Sequence, residues 1–246
     1  SPKWDLDMSA IFTVGVFKRK ESIGLIQKIT TLPMLEADQI ADLVKDLPIA
    51  VAQAAAYIRE TQVSVEEYQR RFGEKSKELL SHQKPTDDFS KTVNITWDIS
   101  MQEIAKREKE KGEALYLPYP IAGPLMNLCA FFESRNIPRE LLLLEWIRNK
   151  YKREEEALGD LDRTIALLGA FSMIQVEEKV ISIHPLIQKV TCDKLETVDK
   201  QNFLKQGVEI FNKLSKQYDP NKNPKISSHT ELLLPHCEAV IGHYND

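Results

Sequence analysis

The chain has 246 residues, of which 42% are hydrophobic and 28% charged, the composition of a globular protein with room for two or three small domains. With a formal net charge of −4, bulk electrostatic attraction to nucleic acid or anionic lipid is not expected. Glycine is scarce, at nine residues, while Leu, Ile, Ala, Glu and Lys abound, a balance that favours helices over a large sheet. Cys129, Cys192 and Cys237 lie far apart without metal-ligand spacing and read as reduced thiols in a cytoplasmic setting. No apolar run reaches membrane-spanning length, so no membrane partner is expected. The chain opens Ser-Pro-Lys-Trp rather than with Met, as expected of a piece cut from a longer protein.

Ala10–Phe17 is short, β-branched and aromatic, which predicts a buried strand. Lys20–Thr30 and Glu36–Leu47 carry apolar residues at helical spacing. Pro48 suits the first turn of a new helix, where its missing N–H is not needed. That helix, Ile49–Glu60, is dense in alanine, and small side chains allow close packing, so it is predicted to be central. Ser64 and Glu67 form a capping box for a helix running to about Leu80. His82–Phe89 reads as a surface linker, Thr92–Ile104 as an amphipathic helix, and Lys106–Glu113 as its solvated, charged end. The three prolines of Tyr116–Pro124 mark a domain boundary.

Beyond that boundary, Leu125–Phe132 predicts a helix, and Ile137-Pro138 begins another that continues through Trp146. Leu158, Leu161, Ile165 and Leu168 form a helical stripe ending at Gly169. Two short strands follow, Met173–Glu177 and Val180–His184, and Pro185 opens a helix to about Leu195. Three helices, a β-hairpin and a closing helix is the layout of a winged helix. Lys200–Tyr218 and Ser228–His243 complete the chain as helices. The fold class is therefore mainly α: a helical domain, a winged helix and a helical C-terminal segment.

These segments resemble, in order, the C-terminal part of NB-ARC proteins, members of the STAND class of signal-transducing P-loop NTPases. Leu47-Pro48-Ile49-Ala50 followed by Gln53–Ile58 is similar to the family's "GLPLA…QAAAYI" run. Ser1–Phe17 resembles the last strand region of the nucleotide domain, and Thr92–Ile99 the helix that starts the winged-helix region. Leu125–Trp146 and Leu232–Tyr244 also match family segments, the latter preceding tetratricopeptide repeats. Ile181–Val190 (ISIHPLIQKV) resembles the segment with the family's MHD-like histidine. The resemblance implies domains at 1–33 (tail of the nucleotide-binding domain), 34–90 (small helical), 91–196 (winged helix) and 197–246 (helical, leading to repeats). In two places the chain departs from the pattern: Asp46 stands where the family has Gly before Leu-Pro, and Pro185 where the triplet has Asp.

The family's phosphate chemistry needs a glycine-rich loop with Lys, and no Gly-Lys-Ser or Gly-Lys-Thr occurs here. This portion is therefore not expected to be an enzyme, nor to hold ADP or ATP tightly alone. The resemblance implies that Pro48 packs near the adenine and that His184 reaches the β-phosphate of ADP held in the longer protein. Its implied partners are the upstream nucleotide-binding domain, a downstream repeat domain and further copies of itself. The implied function is a regulatory clamp that holds ADP in the off state and reorients on exchange. Two other readings stand beside it: a protein-binding helical adaptor, and a DNA-binding winged helix with Leu158–Gly169 in the groove. Against the second, Asp160 and Asp162 face a single base, Arg163, so no nucleic acid is expected. His229, His236 and His243 recur at sevenfold spacing, which reads as one packed or solvated helix side rather than a metal site.

Overall fold

A computed structural model describes residues 15–82, 88–111, 121–139, 143, 145–147, 154–217 and 227–245. The protein is mainly helical, with one small sheet among the described residues. Of the strand expected at Ala10–Phe17, residues 10–14 lie outside the described residues, and 15–17 are not in a strand. The chain enters α1 (Arg19–Ile29), which packs through Ile23 and Ile26 against α2 (Met34–Leu43) and α3 (Pro48–Thr61).

The second helix stops earlier than its apolar spacing suggests. Lys45 N–H bonds the Asp42 carbonyl, and Asp46 N–H bonds the Ala41 carbonyl at 3.0 Å. This is a Schellman closure of the helix end, with Lys45 at φ 56° and Asp46 at φ 54°. Pro48 then starts α3 at its first position, as expected. Burial of Ala50, Val51 and Gln53–Ile58 leaves α3 enclosed on most sides, which its alanines permit by letting neighbouring backbones approach. Ser64 caps α4 (Val65–His82) by accepting from Glu67 N–H at 3.2 Å.

The longest helix, α5 (Asp88–Lys111), begins inside the segment expected to be a linker, of which 83–87 lie outside the described residues. It packs against α3, α4 and, beyond the 112–120 stretch, α6 (Ala122–Cys129). Glu108 near its end is buried and accepts the N–H groups of Ile121 and Ala122 at the start of α6, and the Thr164 hydroxyl at 2.9 Å. A buried carboxylate is thus satisfied by three donors and closes the open end of a helix.

Ile137-Pro138 does not open a helix. These residues form the edge strand β1 (Ile137–Pro138), where a proline lacking its N–H is tolerated. Residues 139, 143 and 145–147 are helical, as expected of the stretch running to Trp146, while 140–142 and 144 lie outside the described residues. Next come α7 (Glu154–Ala170), β2 (Gln175–Val176) and β3 (Val180–Ser182). The sheet is antiparallel with order β1-β3-β2, and Ile181 at its centre faces Ile137 on one side and Val176 on the other. The chain closes with α8 (Pro185–Asp193), α9 (Thr197–Gln217) and α10 (Ser227–Asn245). Among the described residues no helix is long and apolar enough to cross a membrane.

Candidate functional site

The segment that follows α7 runs along α3 in three rungs. Arg59 Nη2 donates to the Ala170 carbonyl at 2.8 Å near the C-terminal end of α3. Mid-helix, buried Gln53 accepts from the Thr96 hydroxyl at 2.6 Å and sets its amide 3.3 Å from Met173 Sδ. At the N-terminal end, Ile49 faces a cleft of about 300 Å³ that Ile174 and Gln175 also line. The cleft's other walls are Ser134 and Arg135, from the loop before β1, and Ser182–Pro185, from the exit of β3.

The cleft therefore unites the first turn of α3 with His184, two places far apart in sequence. Pro48 itself is half-buried and does not line it; the residue of that turn that does is Ile49. Leu47 offers no side-chain cap to α3, so the N–H groups of Ile49 and Ala50 have no capping partner among the described residues. That leaves the positive end of a helix dipole beside the cleft.

His184 is the N-cap of α8. Its Nδ1 accepts from Leu186 N–H at 3.1 Å, and its carbonyl accepts from Ile187 and Gln188 N–H. Pro185 has no N–H to give, so the first turn of α8 has no spare backbone donor. The anion affinity expected of that helix start is thus already taken up by His184 itself. With Nδ1 accepting, the proton sits on Nε2, and burial holds the imidazole below its usual pKa. The ring is a neutral donor rather than a cation. The helix it caps is tied to the end of α6 by Gln188, whose amide donates to the Cys129 and Phe132 carbonyls at 2.9 Å.

Arg135 is the residue that sequence reasoning missed. It is exposed, lines the cleft, and has no ion-pair partner among the described residues. No Asp or Glu is among the described residues lining the cleft. In sequence, Glu133-Ser134-Arg135-Asn136 reads only as a polar loop, so nothing marked this arginine before the fold placed it.

Asp46, where the NB-ARC pattern has glycine, is tied up in an ion-pair cluster. Its carboxylate takes Arg19 Nε at 3.0 Å on both oxygens, and the same guanidinium binds Asp38 and Asp42. Burial is the largest single influence and raises its pKa, but the lowering influences together, the Arg19 hydrogen bonds foremost, then Ser22 and the Arg19 charge, hold the carboxyl below its ordinary value. The left-handed φ of 54° explains why glycine suits this position.

The remaining histidines of interest pack. His236 is 1% exposed and stacks edge-on to Phe132, and His243 meets Phe131 the same way. Among the described residues no group of three or more His, Cys, Asp or Glu is placed to hold a metal ion. No protein-family model matches the chain, and no curated protein matches its sequence.

Proposed function

We propose that this chain is the regulatory half of a nucleotide-dependent switch, and that its cleft holds the phosphate end of ADP against a nucleotide-binding domain supplied elsewhere. One observation carries the reading. The α3 first turn and His184, which the NB-ARC resemblance assigns to one ligand, line or adjoin one cleft that has a guanidinium and no carboxylate among its described walls.

The chemistry suits an anion. Arg135 supplies charge, His184 Nε2–H a directional donor, and the uncapped α3 start two backbone N–H groups. The apolar wall of Ile49, Ile174 and Ile187 suits a base or ribose face. The volume lies at the low end for ligand sites, roughly 300–1,000 Å³. A cleft of that size holds part of a nucleotide, with a second domain enclosing the rest. In this reading the three-stranded sheet with α6, α7 and α8 is the winged helix. Its swing away from α3 would separate His184 from Ile49 and open the cleft, a hinge-type switch.

The adaptor reading has one observation in its favour. Leu234, Ile241 and Tyr244 on α10 are all more than half exposed, and they suit a neighbouring helix as well as a free partner. Groove binding by α7 is poorly supported, because Asp160 and Thr164 are buried rather than presented.

The test is a titration of the 246-residue chain with millimolar ADP, followed by amide chemical shifts. The reading expects saturable shifts at Ile49, Ala50, Arg135 and His184, with AMP weaker than ADP. Shifts elsewhere only, or none, would remove the nucleotide from this cleft and leave the adaptor.

A further inference from the structure

The loop that carries Arg135 is held from two sides. Inside, Ile183 N–H donates to the Ser134 carbonyl at 2.8 Å, and Asn136 N–H donates to Ser182 Oγ at 3.1 Å. The loop therefore shares hydrogen bonds with the strand exit that ends in His184. Outside, His236 of α10 places Nε2 3.1 Å from the Asn136 carbonyl. A carbonyl only accepts, so that nitrogen carries the proton.

His236 is a costly residue at this point. It is 1% exposed, and its Nδ1 has no partner among the described residues. A buried ring nitrogen without a hydrogen bond is penalised, whereas a phenylalanine of similar shape would not be. Packing against Phe132 thus gives no reason for a histidine here; its polar contacts with the 133–136 loop do, the Asn136 carbonyl at 3.1 Å foremost and Glu133 beside it. Asn136 in turn sits at φ 56°, a left-handed state that asparagine tolerates better than most residues, and the bonds to Ser182 and His236 hold it there. The residue so held directly follows Arg135.

We propose that His236 is a positioning residue for Arg135. By fixing the Asn136 carbonyl it sets the 133–136 loop, so that the C-terminal helix α10 controls how strongly the cleft binds a phosphate group. The proposal rests on the reading of the cleft as an anion site and adds the route by which it is regulated. Whatever displaces α10 withdraws the loop's outer anchor and weakens the cleft. By linkage, an anion bound at Arg135 steadies α10 in its seat.

The experiment uses the whole chain and two readouts. His236→Phe keeps the ring's volume and removes the donor; His236→Gln restores an N–H that reaches the carbonyl. Exchange of the Asn136 and Ile183 amides is expected to quicken about tenfold in His236→Phe, the effect of losing roughly one hydrogen bond, and to return towards wild type in His236→Gln. The affinity for ADP, read from chemical shifts, is expected to fall about tenfold in His236→Phe and to recover in His236→Gln. In an Arg135→Gln background, His236→Phe is expected to cause no further loss. Additive losses would overturn the proposal, as would unchanged exchange in a folded His236→Phe protein. Should that variant fail to fold, His236→Leu is measured against the same expectations. If the wild-type chain shows no shifts with ADP, the nucleotide reading falls. The exchange readout then decides the positioning alone, and unchanged rates overturn it.

Discussion

Replacing His184 removes a helix cap and a candidate ligand together, and two substitutions separate them. His184→Ala and His184→Ser both lose the half-buried ring. Serine still accepts from Leu186 N–H, the bond that His184 Nδ1 makes at 3.1 Å. The difference between the two variants is therefore the cap, about 1 kcal/mol. For a chain of this size that is about 2–4 °C in melting temperature, Ala below Ser. Neither variant has the Nε2 donor, so both are expected to lose affinity for ADP. A hydrogen bond to a charged group contributes about 1.5–3 kcal/mol; solvent at a half-exposed site reduces it, to about tenfold in Kd. Calorimetric melting and a shift titration on the same samples provide both numbers. The sign with pH is also set. Burial lowers the folded pKa of His184 below its ordinary 6.5, so the unfolded chain takes up the proton first. Wild-type stability relative to His184→Ser is level above about pH 7.5 and declines as pH falls below about 6.5. Equal stability of Ala and Ser would refute the cap, and undiminished ADP shifts in both folded variants would remove His184 from the site.

Three further expectations concern the frame around the cleft. Lys45→Gly relieves a left-handed residue at φ 56° and forfeits an exposed pair with Asp88; a net gain of about 0.5–1 kcal/mol in urea unfolding is expected, and a loss would show that the turn is not strained. Gln53→Met keeps the volume, and Thr96 retains the Val93 carbonyl as acceptor, so about 1 kcal/mol is lost; Gln53→Ala adds a cavity and loses about 2–4 kcal/mol. Equal costs would mean that the amide, not the packing, joins α3 to Met173. Burial raises the Glu108 carboxyl above its ordinary 4.5 against the hydrogen bonds from Thr164, Ala122 and Ile121. Its contribution relative to Glu108→Gln is then fully present below pH 4.5 and diminishes as pH rises through the folded value; unfolding curves between pH 4 and 7 that stay parallel would contradict this.

Much of the helical frame was legible because its determinants are local. Pro48 at a first turn, Ser64 three residues before Glu67, and Pro185 before an apolar stripe each act within one turn of chain. The end of α2 was misread because Lys45 and Asp46 adopt a conformation that glycine usually marks. Ile137-Pro138 was misread for a different reason. Its spacing continues a helical pattern, and it becomes a strand only by pairing with Ile181 and Val180 far along the chain.

The sequence by itself determined the mainly helical character, the position of most helices and the chemical types that could meet a ligand. Only the tertiary structure decided that Ile49 rather than Pro48 lines the cleft, that His184 uses Nδ1 on its own helix, and that Arg135 stands beside it with no ion-pair partner among the described residues. The same holds for His236, whose sevenfold spacing with His229 and His243 placed it on a helix face but not against Asn136. The reason is range: a cap or a stripe depends on neighbours within about four residues, whereas a cleft depends on which distant segments the core draws together.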